Sequence, residues 1–232
     1  MSEKSVFNNP IFLKGLIIVL LVVIAAAVYR LYLVESVPND SKLANLEGTL
    51  QDIRAAMNVD TVRQYNIQKV MKIISRYNQS LPSSVKYEIA EEIFEMSVKY
   101  PNLDVELLCA AITQESAATW SPEIVSESGA MGLMQILPIT AIWVAHYEGI
   151  TWTSPEDVLF NPIYNIRIGS RYLSALIDRY GLEGGLAAFN GGEKRAAIWL
   201  ENNKADGVLS VETSNFIALV LRLYSEFKSM TL

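Results

Sequence analysis

Cysteine and histidine are nearly absent from this 232-residue chain, which holds one of each, Cys109 and His146. A single thiol closes no internal disulfide, so the fold must rest on its core. One cysteine and one histidine also fall short of a His/Cys zinc site, and no metal or cofactor is called for. Cys109 lies in an apolar run, where it reads as a small buried hydrophobe rather than a nucleophile. Charge is sparse too, at 19% of residues, with a net of −6. Residues 1–34 hold three basic side chains against one acid, so the remainder carries −8. An acidic body argues against nucleic acid as a partner, because phosphate-backbone binding calls for a basic patch. Internal repeats, low-complexity tracts and alternating strand patterns are missing as well. What remains is a helical chain.

Hydrophobic residues, by contrast, are abundant at 51%, and the excess is local. Gly15 to Tyr29 contains no charge, and Leu13 to Val34 is apolar or small except at Lys14 and Arg30. That length crosses a bilayer as a helix, with basic ends reaching the head groups. Lys4 and Lys14 flank its start while Glu35 and Asp40 follow its end, which puts 1–12 in the cytoplasm and the rest outside. The expectation is a single-pass bacterial inner-membrane anchor over 13–34, with the main domain in the periplasm or cell-wall space. The competing reading is a signal peptide cut near Ala25-Ala26-Ala27. The apolar character continues through Tyr29, Leu31, Tyr32 and Leu33, which favours a retained anchor.

Pro38-Asn39-Asp40-Ser41 is expected to break the first helix, opening a helical stalk or cap over 35–83. Leu43, Leu46, Leu50, Ile53 and Met57 recur at spacings of three and four, a seam short enough for a weak dimer or an ordinary packed helix. Asn58 to Thr61 looks like a fresh N-cap. The helix after it, about Thr61 to Tyr77, would turn Val62, Val70, Ile73, Ile74 and Tyr77 inward. A turn with Pro82 and a helix from Ser84 to Lys99 follow. Pro101 to Asp104 ends that helix, and Asp104 caps the next.

This next helix carries the chemistry. Leu107, Leu108, Ala111 and Ile112 follow helical spacing, and Glu115 falls one turn beyond Ala111. A carboxyl there is partly desolvated and near the negative end of the helix dipole. Both effects favour the neutral acid, the state of a proton donor working near neutral pH. Position alone leaves an ordinary helix-end glutamate open. Two glycines three apart, Gly129 and Gly132, let the following loop turn tightly before Leu133, Met134, Gln135 and Ile136.

The order Glu115-Ser116, Trp120, Pro122, Ser126, Gly129-Ala130, Gly132 to Ile136, Pro138, Thr140-Ala141 resembles the lytic transglycosylase domain of the soluble lytic transglycosylase type. Three later blocks also resemble that family in its order. They are Asn161-Pro162 with Asn165-Ile166, Gly169 and Tyr172-Leu173; Ala187 to Gly192; and Glu212-Thr213 with Asn215 to Ile217. The likeness covers about Tyr87 to Phe227. Two departures stand out: the span from Glu115 to Gly129 is two residues longer, and Phe189 replaces a tyrosine.

The resemblance implies an all-α, lysozyme-like catalytic domain over 84–232. It implies cleavage of the β-1,4 bond between N-acetylmuramic acid and N-acetylglucosamine in peptidoglycan strands. Glu115 would act first as acid, then as base toward the muramoyl 6-hydroxyl, closing a 1,6-anhydro ring. Met134 and Phe189 would line the sugar cleft, Ser126, Gln135 and Asn190 would hydrogen-bond substrate or orient Glu115, and Glu212 would meet the peptide stem. Ordinary glycosidases place a second carboxylate about 5–9.5 Å away. Glu123, Glu127, Glu156 and Asp157 are the candidates, and one facing Glu115 would favour a hydrolytic muramidase of goose-lysozyme character. An inactive wall-binding module of an envelope machine is the third reading. Trp120, Trp143, Trp152 and Trp199 are open as sugar platforms or core. Arg167 and Arg171 share a helix face suited to pairing with acids.

Overall fold

The helix α3, Val105–Glu115, is buried over every residue from Leu107 to Thr113, and the second of two compact units is built around it. A computed structural model describes the chain from residue 10 to 232, apart from the side chains of 10–13, 34–42, 55, 56 and 58. Most of the expected cytoplasmic stretch 1–12 lies outside the described residues. The chain divides at Asp60/Thr61. Helices account for the architecture: α1 (Pro10–Tyr77), α2 (Ser83–Lys99), α3, α4 (Pro138–Tyr147), α5 (Pro155–Leu159), α6 (Pro162–Gly191), α7 (Glu193–Glu201) and α8 (Val211–Ser229). Among the described residues only isolated bridges, Val125 with Met131 and Met131 with Ile136, have strand character. The fold class is all-α.

In the first unit α1 runs on through Pro38, where the sequence predicts a break, and through Asn58 to Thr61, where it predicts a new cap. A proline inside a helix removes one i→i−4 bond and costs about 3 kcal/mol. Here the helical runs on both sides outweigh it. Lys14–Leu33 is long and apolar enough to cross a membrane, with a mean hydropathy of 2.6 and no side chain buried in protein. Leu43, Leu46, Leu50, Ile53 and Met57 are exposed.

The second unit begins inside α1. Its last turns bury Ile67, Val70, Ile73 and Ile74, while Val62, expected inward, is exposed and Ile67 takes its place. Ion pairs tie this segment to its neighbours: Lys69 to Glu106 of α3 at 2.6 Å, Arg63 to Glu91 of α2 at 2.5 Å, and Arg76 to Glu226 of α8. The turn at Pro82 and the stop at Pro101 fall where the sequence places them. Asp104 caps α3 by accepting from the Leu107 N–H at 2.8 Å. Arg167 and Arg171, four apart on α6, pair with acids, Arg167 with Glu92 at 2.7 Å and Arg171 with Glu148 at 3.2 Å. Cys109 is fully buried, and burial pushes its thiol well up, so it serves the core. The long helix α6 bends at Gly181, whose φ of 71° is open to glycine without strain.

Candidate active site

Glu115 is the last residue of α3, and the chain turns sharply behind it. Ser116 N–H still reaches the Ile112 carbonyl at 2.9 Å, and the Ala118 N–H returns to Thr113 at 2.8 Å. Ala117, Ala118 and Trp120 hold left-handed φ values of 49°, 57° and 49°. That conformation is disfavoured for residues with a β-carbon, so packing must hold it. Trp120 supplies the packing. It is fully buried, its Nε1–H donates to Thr113 Oγ1 at 3.1 Å, and its N–H donates to Ser116 Oγ at 3.1 Å. Trp120 is therefore core and anchors the turn that ends α3.

The wall of the cleft is the loop 124–136, folded back on itself. Gly132 N–H donates to the Ile124 carbonyl, and Met131 and Ile136 exchange both backbone bonds at 3.1 Å. Gly132 has φ of +78°, and a β-carbon there would fall 2.2 Å from Asn165 Nδ2 and 2.3 Å from the Leu159 carbonyl oxygen. Asn165 is the hub beneath it. Fully buried on α6, it accepts from the Met134 N–H at 2.8 Å and donates to the carbonyls of Met131 and Leu159 at 2.9 and 3.0 Å. Sequence reading placed Asn165 in a matching block but gave it no role. A buried amide whose lone pair and both protons are satisfied fixes the loop to α6.

The resulting cleft has a volume of about 290 Å³ and gathers Glu115, Ser126, Gln135, Phe189, Asn190 and Glu212. Met134, expected on its wall, is fully buried instead. Its side chain packs against Gly169, where a β-carbon would lie 2.4 Å from the Met134 sulfur, so the missing side chain makes room for it. Ser126 and Gln135 brace the loop as well as line it. Ser126 Oγ accepts from the Ala130 N–H at 3.0 Å, and Gln135 Nε2 donates to the carbonyls of Gly132 and Ile124 at 2.9 and 3.2 Å. Phe189 meets the ring of Tyr172 at 5.6 Å between centroids. Tyr172 and Thr140 also line the cleft. They fall within the quoted motifs, but only the fold aims them inward.

Glu115 keeps an opening toward the cleft yet is enclosed by protein on nearly every other side. Its carboxyl is pushed up to about 8, first by burial and then by the charge of Glu212. The carboxylates in the cleft are Glu115 and Glu212, while Glu123, Glu127, Glu156 and Asp157 do not line it. Burial also raises the Tyr172 hydroxyl, with the charge of Glu193 adding to it. Among the described residues no cluster of three or more His, Cys, Asp or Glu side chains is arranged to hold a metal ion.

The family model described as the transglycosylase SLT domain matches residues 92–208, just over half of the chain, from mid-α2 to the approach to α8. The chain belongs to the transglycosylase SLT domain family. This SLT domain is 38% identical over 111 residues to the soluble lytic murein transglycosylase of Escherichia coli K12, covering 46% of this chain and 17% of that protein. To the membrane-bound lytic murein transglycosylase C of Histophilus somni strain 2336 it is 36% identical over 129 residues, covering 53% and 34%. The structure is similar to that of an inactive Glu-to-Gln mutant of lytic transglycosylase Slt from Pseudomonas aeruginosa. The TM-score is 0.53 at 26% identity, covering 59% of this chain and 23% of the other. The chain thus spans about a third or less of the length of these relatives, and the shared part is the SLT domain with its lysozyme-like fold.

Proposed function

We propose that the chain is a lytic murein transglycosylase that cleaves the MurNAc-β-1,4-GlcNAc bond and leaves 1,6-anhydromuramoyl ends. One observation carries the reading: a carboxyl held neutral to about pH 8 opens into a cleft lined by hydrogen-bonding side chains. A neutral acid protonates the departing glycosidic oxygen, and the carboxylate so formed accepts the proton of the muramoyl 6-hydroxyl as it attacks the anomeric carbon. Glu115 ends the cycle protonated, and no water is consumed. The substrate's acetamido oxygen can meet the positive charge that develops at the anomeric carbon. Ser126, Gln135, Phe189 and Asn190 would hold the sugar. Met134, buried under the loop, is left out of that set. The names of the Escherichia coli and Histophilus somni relatives, both lytic murein transglycosylases, support the substrate class.

A second reading has its own support. Glu212 shares the cleft and its charge reaches Glu115, as a hydrolytic muramidase would require of a second carboxylate. The product decides. Purified full-length protein digesting peptidoglycan should release anhydromuropeptides by mass, and Glu115→Gln should abolish release while the helical spectrum is kept. Reducing ends in the products would reject ring closure in favour of hydrolysis. Binding to sacculi without turnover would mark an inactive module.

For the remainder of the chain we propose a single-pass inner-membrane anchor at 14–33, with the SLT domain on the periplasmic side. The apolar helix and the membrane-bound relative support this. The exposed seam at Leu43 to Met57 is suited to a second copy or an envelope-machine partner.

A further inference from the structure

Beside the cleft lies a larger groove of about 910 Å³ that the proposed chemistry does not use. Its lining includes Trp143, His146, Tyr147, Thr151 and Trp152. Both recesses border α4. Leu137 and Thr140, at the helix N-terminus, line the cleft, while Trp143 and Tyr147 line the groove. Positions 140, 143 and 147 follow the i, i+3, i+7 spacing of one helix face, so one stripe runs from the cleft into the groove. Ala141 and Ala145, on the other face, are buried in the core.

Trp143 is 70% exposed and Tyr147 67%, unusual for residues of this size in a packed domain. The groove is also braced from behind. Arg171 stacks on the Tyr147 ring, 5.0 Å from its centroid, and Glu148 holds Arg171 in turn. The Glu148 side chain is 1% exposed, and burial alone would raise its carboxyl. Hydrogen bonds from Lys99, Tyr100 and Arg171 lower it, so a charged, paired Glu148 fixes the assembly. Rigid aromatic faces with polar atoms at their edges (His146, Thr151, the Trp152 indole) suit pyranose rings, which offer apolar C–H faces and hydroxyl rims.

The cleft itself, at about 290 Å³, lies at the lower limit of ~300–1,000 Å³ typical of ligand pockets and has room for only a short piece of a polymer. We propose that the Trp143–Tyr147–Trp152 groove is a distal subsite that holds sugar rings of the same glycan strand as it leaves the cleft along α4. This rests on the reading of the cleft as a glycan-cleaving site. The groove would select long strands over short fragments.

The test uses full-length protein in detergent carrying Glu115→Gln, so that nothing is turned over. It is titrated with peptide-free glycan strands of two rings and of many rings. Adding Trp143→Ala should weaken long-strand binding about tenfold and leave the two-ring ligand unchanged, while Trp143→Phe should restore most of the loss. Long-strand affinity unmoved by Trp143→Ala overturns the groove and leaves the cleft reading standing. Equal weakening of both ligands overturns a distal role. Binding of neither ligand by the parent overturns the groove together with the cleft reading. A Trp143-dependent adherence to neutral lipid vesicles, with glycan affinity unchanged, overturns it in favour of a membrane contact.

Discussion

Replacing Glu115 by glutamine should make the protein more stable as it destroys activity, by an amount set by pH. The carboxyl sits at about 8 in the folded chain against an ordinary value of 4.5. Between those limits the folded protein holds a proton at this site that the unfolded chain has released. Stability therefore falls as pH rises, by about 1.4 kcal/mol per pH unit. The contribution is fully present below about 4.5 and is lost as pH passes through 8. Glutamine has the same shape and no proton to lose. Relative to their difference at pH 4.5, the variant should gain about 3 kcal/mol over the parent by pH 7. For a chain of this size that is roughly 6–12 °C in melting temperature. Paired thermal melts of the two proteins in one detergent at pH 5, 6, 7 and 8 give the difference directly, and other titrating groups cancel. A difference that stays flat, or shrinks as pH rises, would refute a carboxyl held neutral by burial.

Three further outcomes follow from the same geometry. If Glu115 is the acid proposed above, turnover needs it protonated, and kcat/KM should fall about tenfold per pH unit above 8. In Glu212→Gln that falling limb should move to lower pH, because removing the neighbouring negative charge makes Glu115 easier to ionise; a limb moved upward would contradict the coupling. Asn165→Ala leaves the Met134 N–H and the Leu159 carbonyl without their partner, while the Met131 carbonyl keeps the bond from the Ile136 N–H. At about 1–3 kcal/mol for each of these two unpaired buried groups, urea unfolding should show a loss of roughly 2–6 kcal/mol.

Local chemistry in the sequence was enough to mark the second unit's helices. Prolines at 82 and 101 and the cap at Asp104 set the limits of α2 and the start of α3, and apolar spacing put Glu115 at the end of a buried helix. The same logic over-read Pro38 and Asn58, because a local breaker acts over one turn while a helix is stabilised along its whole length. Sequence adjacency also misled at Met134, which shares the loop of Gln135 but drops into the space left by Gly169, thirty-five positions on. The acids that follow Glu115 in sequence do not line the cleft, whereas Glu212, at the start of α8, does. Which carboxylate faces which is a long-range property, and no periodicity encodes it.

The seat of the loop on α6 carries a consequence for how this domain can vary. Gly132, Asn165, Gly169 and Met134 interlock so closely that neither glycine can gain a side-chain atom unless Asn165 or Met134 yields. Such a quartet drifts as a unit or stays put. Because it joins the cleft's wall to the helix that also carries Tyr172 and Phe189, those two sides of the cleft behave as a single casting. A ligand entering the cleft therefore meets two sides whose spacing is set by these contacts before it arrives.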